Sequence, residues 1–370
     1  MNIKKYIWII LGLIALVINW LFGLFPSFYE VFYYNGIFQI IRTVYDFTLG
    51  WIPFPMVYIL FFVVVQIIYQ FLKFKGFRSA EGAIAKIWSV IFPIISLAGA
   101  VIFFFYFLWG FNYQQQNLSE QLDLPEVTAD TTELFNEAIF FLDKLELLRT
   151  EISNDTLPLS FDQLTDELEV EIRQNLEEIL SNWDLPTAGR VRVRKLYPKG
   201  TLLRISTAGV YIPFVFEGHI DAGLHPIQYP FTMAHEMSHG YGLADEGTCN
   251  FTGFVACMAS DDSFVQYSAS MSIWRYMANN LRKGSPTLYR KLMRHISPNV
   301  RTDLIAVMDE MDKYPDIMPK VRDAVYDTYL KSHGVAGGLS NYSKVVEMSM
   351  AWKRSGRDPD LIKKIYLIEN

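Results

Sequence analysis

Three long, almost uncharged apolar runs in the first 112 residues limit this chain more than any other feature. They extend from Tyr6 to Phe22, Trp51 to Leu72 and Trp88 to Phe111. Each is long enough to cross the hydrocarbon layer of a bilayer as a helix. Three in succession are expected to be membrane spans rather than buried core helices. The first follows Lys4 and Lys5, as a signal peptide would. Its length, the aromatic residues after it and the lack of a small-x-small pattern before Pro26 favour an uncleaved anchor.

The basic residues give the orientation. Lys4 and Lys5 precede the first run, and Lys73, Lys75, Arg78 and Lys86 lie between the second and third. The loop between the first and second runs has Arg42 as its only base, beside Glu30 and Asp46. The positive-inside rule then puts the N-terminus in the cytoplasm and everything after Asn112 outside it. The expectation is a multi-pass protein of a bacterial cytoplasmic (inner) membrane. Residues 1–112 would form the membrane domain and 113–370 an extracytoplasmic domain.

Seven of the 33 Lys and Arg and three of the 39 Asp and Glu fall in residues 1–112, leaving 26 bases and 36 acids in the outward part. An acidic domain held at a membrane offers no electrostatic basis for binding nucleic acid. The two cysteines, Cys249 and Cys257, are too far apart for a disulfide if they share a helix, with a rise of about 12 Å between them. They read as small buried side chains.

The outward part contains the run Pro230-Phe-Thr-Met-Ala-His235-Glu236-Met-Ser-His239-Gly-Tyr-Gly242. This is HExxH. Residues i and i+4 share a helix face, so His235 and His239 can offer imidazole nitrogens to one metal ion. Glu236 beside them can act as general base toward a zinc-activated water. The pattern is that of a zinc metallopeptidase.

Around this motif, Asn112–Asp123 is polar and reads as a linker. Thr128–Glu151 and Phe161–Trp183 carry apolar residues at helical spacing. Arg190–Leu196 alternates as a half-exposed strand, and Leu202–Ile205 and Val210–Phe216 are also β-rich. A small sheet is therefore expected before the motif, followed by a helix to Ala259 and further helices, including Arg290–His295, Asp303–Met311 and Val321–Ser332.

A catalytic zinc needs a third protein ligand and an open position. Glu246 is the first choice, at the start of the next helix, with Asn250 one turn further on the same face to orient a ligand. Asp245 is the rival, because HExxHxxGxxD approaches the metzincin pattern. That pattern also needs a Met-turn, for which Met258 and Met271 are available. Asp261 and Asp262 are lesser candidates. Tyr342, His333 and His225 are possible donors to a developing oxyanion.

At these residues the chain resembles a bacterial domain-of-unknown-function family of three-span membrane proteins regarded as zincin-like metallopeptidases. The resemblance is carried by Asn112-Tyr113, Tyr211-Ile-Pro213-Phe214 with Glu217, His235 to Gly242, Glu246, and Asn250-Phe251. Near the C-terminus it continues through Tyr329-Leu-Lys331, Gly334 and Ser340-Asn-Tyr342. One departure is Thr248, where family members often carry a second acid.

The expected fold class is α+β: three N-terminal transmembrane helices, then a mostly helical zincin-like domain of gluzincin type with a small β-sheet. The expected activity is zinc-dependent hydrolysis of a peptide or protein substrate near the membrane, with His235, His239 and Glu246 as Zn2+ ligands and Glu236 as base. The alternative is an inactive zinc-binding membrane scaffold, against which the intact Glu236 argues. An intramembrane protease is disfavoured by the polar flanks Thr232, Ser238, Asp245 and Glu246. The sequence sets no oligomeric state.

Overall fold

The structure, a computed structural model, describes residues 6–73, 82–127, 130–317 and 344–367, with positions 319, 324 and 328. It is mostly helical with one small sheet. The chain divides into two compact units. The first comprises residues 1–115, 188–190 and 212–217, and the second comprises 116–187, 191–211 and 218–370.

In the first unit, helices α1 (Ile7–Leu24) and α4 (Ala83–Leu108) are long and apolar enough to cross a bilayer. Between them lie α2 (Phe38–Thr48) and α3 (Val57–Lys73). The expected second span is thus shorter than its apolar run. Pro53 and Pro55 keep residues 51–56 out of the helix, because proline lacks the amide hydrogen and restricts its predecessor. Leu13, Val17 and Trp20 on α1 and Ile84, Ile87 and Val101 on α4 are exposed. Two inward polar pairs in this unit are Tyr29 Oη donating to Asn112 Oδ1 at 3.1 Å and Arg42 donating to Gln39 Oε1 at 2.9 Å. The two short later segments dock by main-chain and ring contacts. Arg190 N donates to Asp46 Oδ2 at 2.9 Å, Met56 N donates to Glu217 Oε2 at 2.8 Å, and Phe216 lies 4.6 Å from Tyr45.

The stretch expected to be a polar linker is instead ordered. Residues Gly110–Gln114 form a 3-10 turn and Leu118–Gln121 a short helical turn. Asn112, Leu118 and Leu122 are buried, so a few apolar anchors outweigh the polar composition between them.

The second unit is built from α5 (Thr131–Ile152), α6 (Leu168–Asn182), α7 (Tyr229–Gly240), α8 (Glu246–Ala259), α9 (Ser263–Gly284), α10 (Pro286–His295), α11 (Pro298–Asp312), α12 (Lys344–Ser355) and α13 (Pro359–Tyr366). Asp130 starts α5 by accepting from Thr132 N and Glu133 N, satisfying amides that the first helical turn leaves open. A buried network joins α5, α9 and α11. Arg149 Nε and Tyr267 Oη each donate to Asp303 Oδ2 at 2.8 Å, and Leu159 N donates to Oδ1 at 2.9 Å. The helix expected over Val321–Ser332 falls almost wholly outside the described residues.

The sheet holds β1 (Val193–Leu196), β2 (Gly209–Ile212) and β3 (Glu217–Asp221) in the order β1-β3-β2. β1 and β3 are parallel, with Val193 opposite Gly218 and Leu196 opposite Asp221. The β-rich run Val210–Phe216 is a strand only at its start, in β2; β3 follows it as a strand not expected from the sequence, and its five residues are all buried. Leu202–Ile205, expected to be extended, is a 3-10 turn over Leu203–Ile205. The cause is Asp221, a fully buried carboxylate. Its oxygens accept from Gly200 N, Leu202 N and Gly223 N, each at 2.7 Å, and from Leu203 N at 3.2 Å. Four amide donors satisfying one carboxylate outweigh the weak strand preference of Leu-Leu-Arg-Ile.

Candidate metal centre

Helix α7 carries the HExxH run, and every one of its twelve residues is buried. Pro230 sits in its first turn, where a missing amide hydrogen costs nothing. The helix ends in a tight reversal. Gly242 has φ +94°, a conformation that glycine adopts without strain, and its amide donates to His239 O at 2.9 Å. The reversal brings the Leu243 carbonyl back to His239. Asp245 then caps α8, accepting from Thr248 N at 2.8 Å and Thr248 Oγ1 at 2.9 Å. Glu246 is the first residue of that helix.

This turn brings His235, His239 and Glu246 together, with one potential ligand atom from each within 4.8 Å of the others. His235 Nε2 lies 3.1 Å and His239 Nε2 3.4 Å from Glu246 Oε2. Two ligand atoms, each about 2.0–2.1 Å from a tetrahedral zinc, stand about 3.3–3.4 Å apart. The donor set also fits a metal chemically. His235 Nδ1 lies 2.9 Å from Asn250 Oδ1, and His239 Nδ1 lies 2.8 Å from Leu243 O. Both partners accept hydrogen bonds, so the Nδ1 atoms carry hydrogens, and the Nε2 atoms on the Glu246 side are the ones that would take a metal in place of a proton. Asn250 in turn donates through Nδ2 to Tyr276 Oη at 3.2 Å.

Glu236 points to the sheet side of α7. A Cβ added to Gly209 of β2 would lie 2.5 Å from Glu236 Oε1, and one added to Gly218 of β3 would lie 2.9 Å from Glu236 Cβ. The two glycines thus make the space that the carboxylate occupies. Among the described residues, Glu236 Oε2 is buried without a hydrogen-bond partner. Burial raises the Glu236 pKa to about 7, against the pull of the two imidazoles and with the help of the nearby Glu246 charge. Burial acts the same way on Glu246, but there the imidazoles of His239 and His235 outweigh it and hold the carboxylate below its usual range. Cys249 Sγ lies 3.3 Å from His239 Nδ1 and donates to Leu243 O at 3.3 Å. Burial pushes its thiol up to about 11, which makes it a neutral packing group beside the cluster. Cys257 is likewise buried and free.

The other candidates lie elsewhere. Asp245 serves as a cap and Asp262 caps α9, while Asp261 pairs with Lys364 at 2.6 Å. Met258 and Met271 lie within helices α8 and α9, so neither forms a Met-turn. His225 caps the 3-10 turn Pro226–Gln228 by accepting from Ile227 N. His333 and Tyr342 lie outside the described residues, as do the C-terminal motifs of the resemblance. Gly209 and Tyr276 were not recognisable from sequence as parts of the site, since each comes from a segment distant from α7.

A family profile described as "Protein of unknown function (DUF3810)" matches residues 33–350. The chain belongs to this family. The match takes in the apolar helices α3 and α4 as well as α7, α8 and the whole cluster of His235, His239 and Glu246. No curated protein and no solved structure matches the chain.

Proposed function

We propose that this DUF3810 protein is a membrane-anchored zinc metallopeptidase. The observation that carries the reading is the pairing of a His-His-Glu cluster with Glu236, a buried carboxylate whose Oε2 has no hydrogen-bond partner among the described residues. A structural zinc site is closed by four protein ligands. Among the described residues this cluster offers three, as a catalytic site requires.

A bound zinc ion would supply Lewis-acid polarisation of a water molecule and of the scissile carbonyl. His235, His239 and Glu246 would hold it, with Asn250 and the Leu243 carbonyl fixing the two rings. Glu236 accepts a proton from the attacking water and delivers it to the departing amine. The water oxygen joins the acyl carbon as the C–N bond breaks, so the products are one acid and one amine.

The exposed apolar surfaces of α1 and α4 support residence in a bilayer, with the shorter α3 as a third span. The charge of the loops supports a cytoplasmic N-terminus and an outward second unit. The substrate would then be a peptide or protein segment close to the membrane surface.

The test is elemental analysis of the purified full-length protein. About one zinc per chain is expected, lost in His239→Ala and Glu246→Ala and kept in Asp245→Ala. Wild-type protein that neither contains nor takes up metal overturns the proposal.

A further inference from the structure

The second unit holds an open cleft of about 630 Å³, in the usual range for sites that take small ligands. Three of its lining residues neighbour or bond to residues of the metal centre. Thr232 in its wall is one turn before Glu236 on α7, Ala208 is next to Gly209, and Tyr276 is bonded to the Asn250 that holds His235.

The chemistry of the lining is one-sided. Among the described residues no Asp or Glu contributes to it, although the part of the chain after residue 112 has ten more acids than bases. Two arginines, Arg275 and Arg282, contribute from α9, seven residues and so two turns apart on one face. Arg282 is engaged by Asn279 Oδ1 at 2.9 Å. Arg275 is exposed, and among the described residues it forms no ion pair. The rest of the wall is largely apolar and deformable, with Met293 from α10 and Met308 and Met311 from α11.

We infer that this cleft binds the C-terminal residue of a peptide, with its α-carboxylate on Arg275 and a large apolar side chain against the methionine wall. This assignment rests on the peptidase reading and narrows its substrate. An exposed arginine with no ion pair among the described residues, beside a mostly apolar cavity, suits a ligand that is both anionic and apolar. A terminal residue carries a carboxylate and an apolar side chain on one carbon, so it satisfies both walls at once. An internal Asp or Glu would put its charge at the end of the side chain that should fill the apolar part. Arginine also matches a carboxylate with two parallel hydrogen bonds, which a lysine cannot reproduce. Cleavage would accordingly release short C-terminal fragments.

The experiment measures binding, not turnover. Full-length Glu236→Gln protein in detergent is titrated with three fluorescent peptides of one sequence. One ends in Phe as the free acid, one ends in Phe amide, and one ends in amide with Glu replacing a neighbouring residue. The free acid is expected to bind roughly 10- to 100-fold more tightly than the Phe amide, as befits a hydrogen-bonded charge pair. Adding Arg275→Gln should bring that ratio close to one while leaving metal content and melting temperature unchanged, and Arg275→Lys should restore part of it. Equal binding of acid and amide, a preference for the Glu peptide, a ratio untouched by Arg275→Gln, or no binding of any peptide would each overturn the inference. Metal content measured on the same samples separates the two readings. Metal-loaded protein without an acid preference removes the cleft assignment alone. Carboxylate-selective binding by protein that takes up no metal removes the peptidase and keeps the cleft.

Discussion

Asn250→Ala tests whether the proposed metal centre depends on the residue behind its candidate ligand His235. In the native arrangement the Asn250 carbonyl oxygen, 2.9 Å from His235 Nδ1, fixes which imidazole nitrogen carries the hydrogen. Without it, a buried N–H is left unsatisfied, or the ring shifts its hydrogen to Nε2 and loses its lone pair for the metal. Leaving a buried donor unpaired costs about 1–3 kcal/mol. That is the same range as the roughly 10- to 100-fold loss of metal affinity that follows removal of such partners elsewhere, since each factor of ten is about 1.4 kcal/mol. The assay is competition between the metal-free protein and a fluorescent zinc chelator, with melting of the metal-free forms measured in parallel. Asn250→Asp keeps the acceptor and should bind at least as tightly as wild type. Tyr276→Phe removes only the outer bond at 3.2 Å and should lose less than Asn250→Ala. Wild-type affinity in Asn250→Ala, or an equal loss in Asn250→Asp, would refute the reasoning.

Two further outcomes concern Glu236. Gly209→Ala would put a methyl group 2.5 Å from Glu236 Oε1, where ordinary contact begins at 3.4 Å, so the carboxylate must move by nearly an ångström; kcat on any cleaved peptide should fall about 100-fold with zinc content unchanged. Burial holds the Glu236 pKa at about 7 in the folded chain against an ordinary value of 4.5. Between those pH values the metal-free folded state keeps a proton that the unfolded state has released, so its stability falls as pH rises through the window. Glu236→Gln should flatten that fall and exceed wild type by about 3 kcal/mol at pH 8, read from denaturant midpoints at pH 5 and pH 8.

Much of the local structure was legible because it depends on periodicity and on short-range chemistry. The apolar runs gave α1 and α4, the helical spacing of Leu134, Ala138 and Leu142 gave α5, and the fixed i to i+4 geometry of HExxH put His235 and His239 on one face. The run from Gly240 to Gly242 marked the end of α7, and Glu246 with Asn250 marked the start of α8. Elements whose conformation answers to distant groups were misread. Leu202–Ile205 turns because Asp221 draws its amides inward, and the polar stretch after Asn112 is anchored by Leu118 and Leu122. The second apolar run gave a shorter helix because its two prolines set the start.

The sequence by itself determined the residue types of the centre: two imidazoles at helical spacing, a carboxylate between them, and two adjacent acids a few residues on. It could not choose between Asp245 and Glu246, because neighbouring residues point in different directions and the choice depends on how α8 is rotated against α7. That rotation is set by packing across the interior, and it turns Asp245 onto the Thr248 amide and Glu246 onto the imidazoles. The tertiary structure alone brought in Gly209, Gly218, Tyr276 and Arg275, since no local pattern links β2, β3 and α9 to a helix they meet only when the chain is folded.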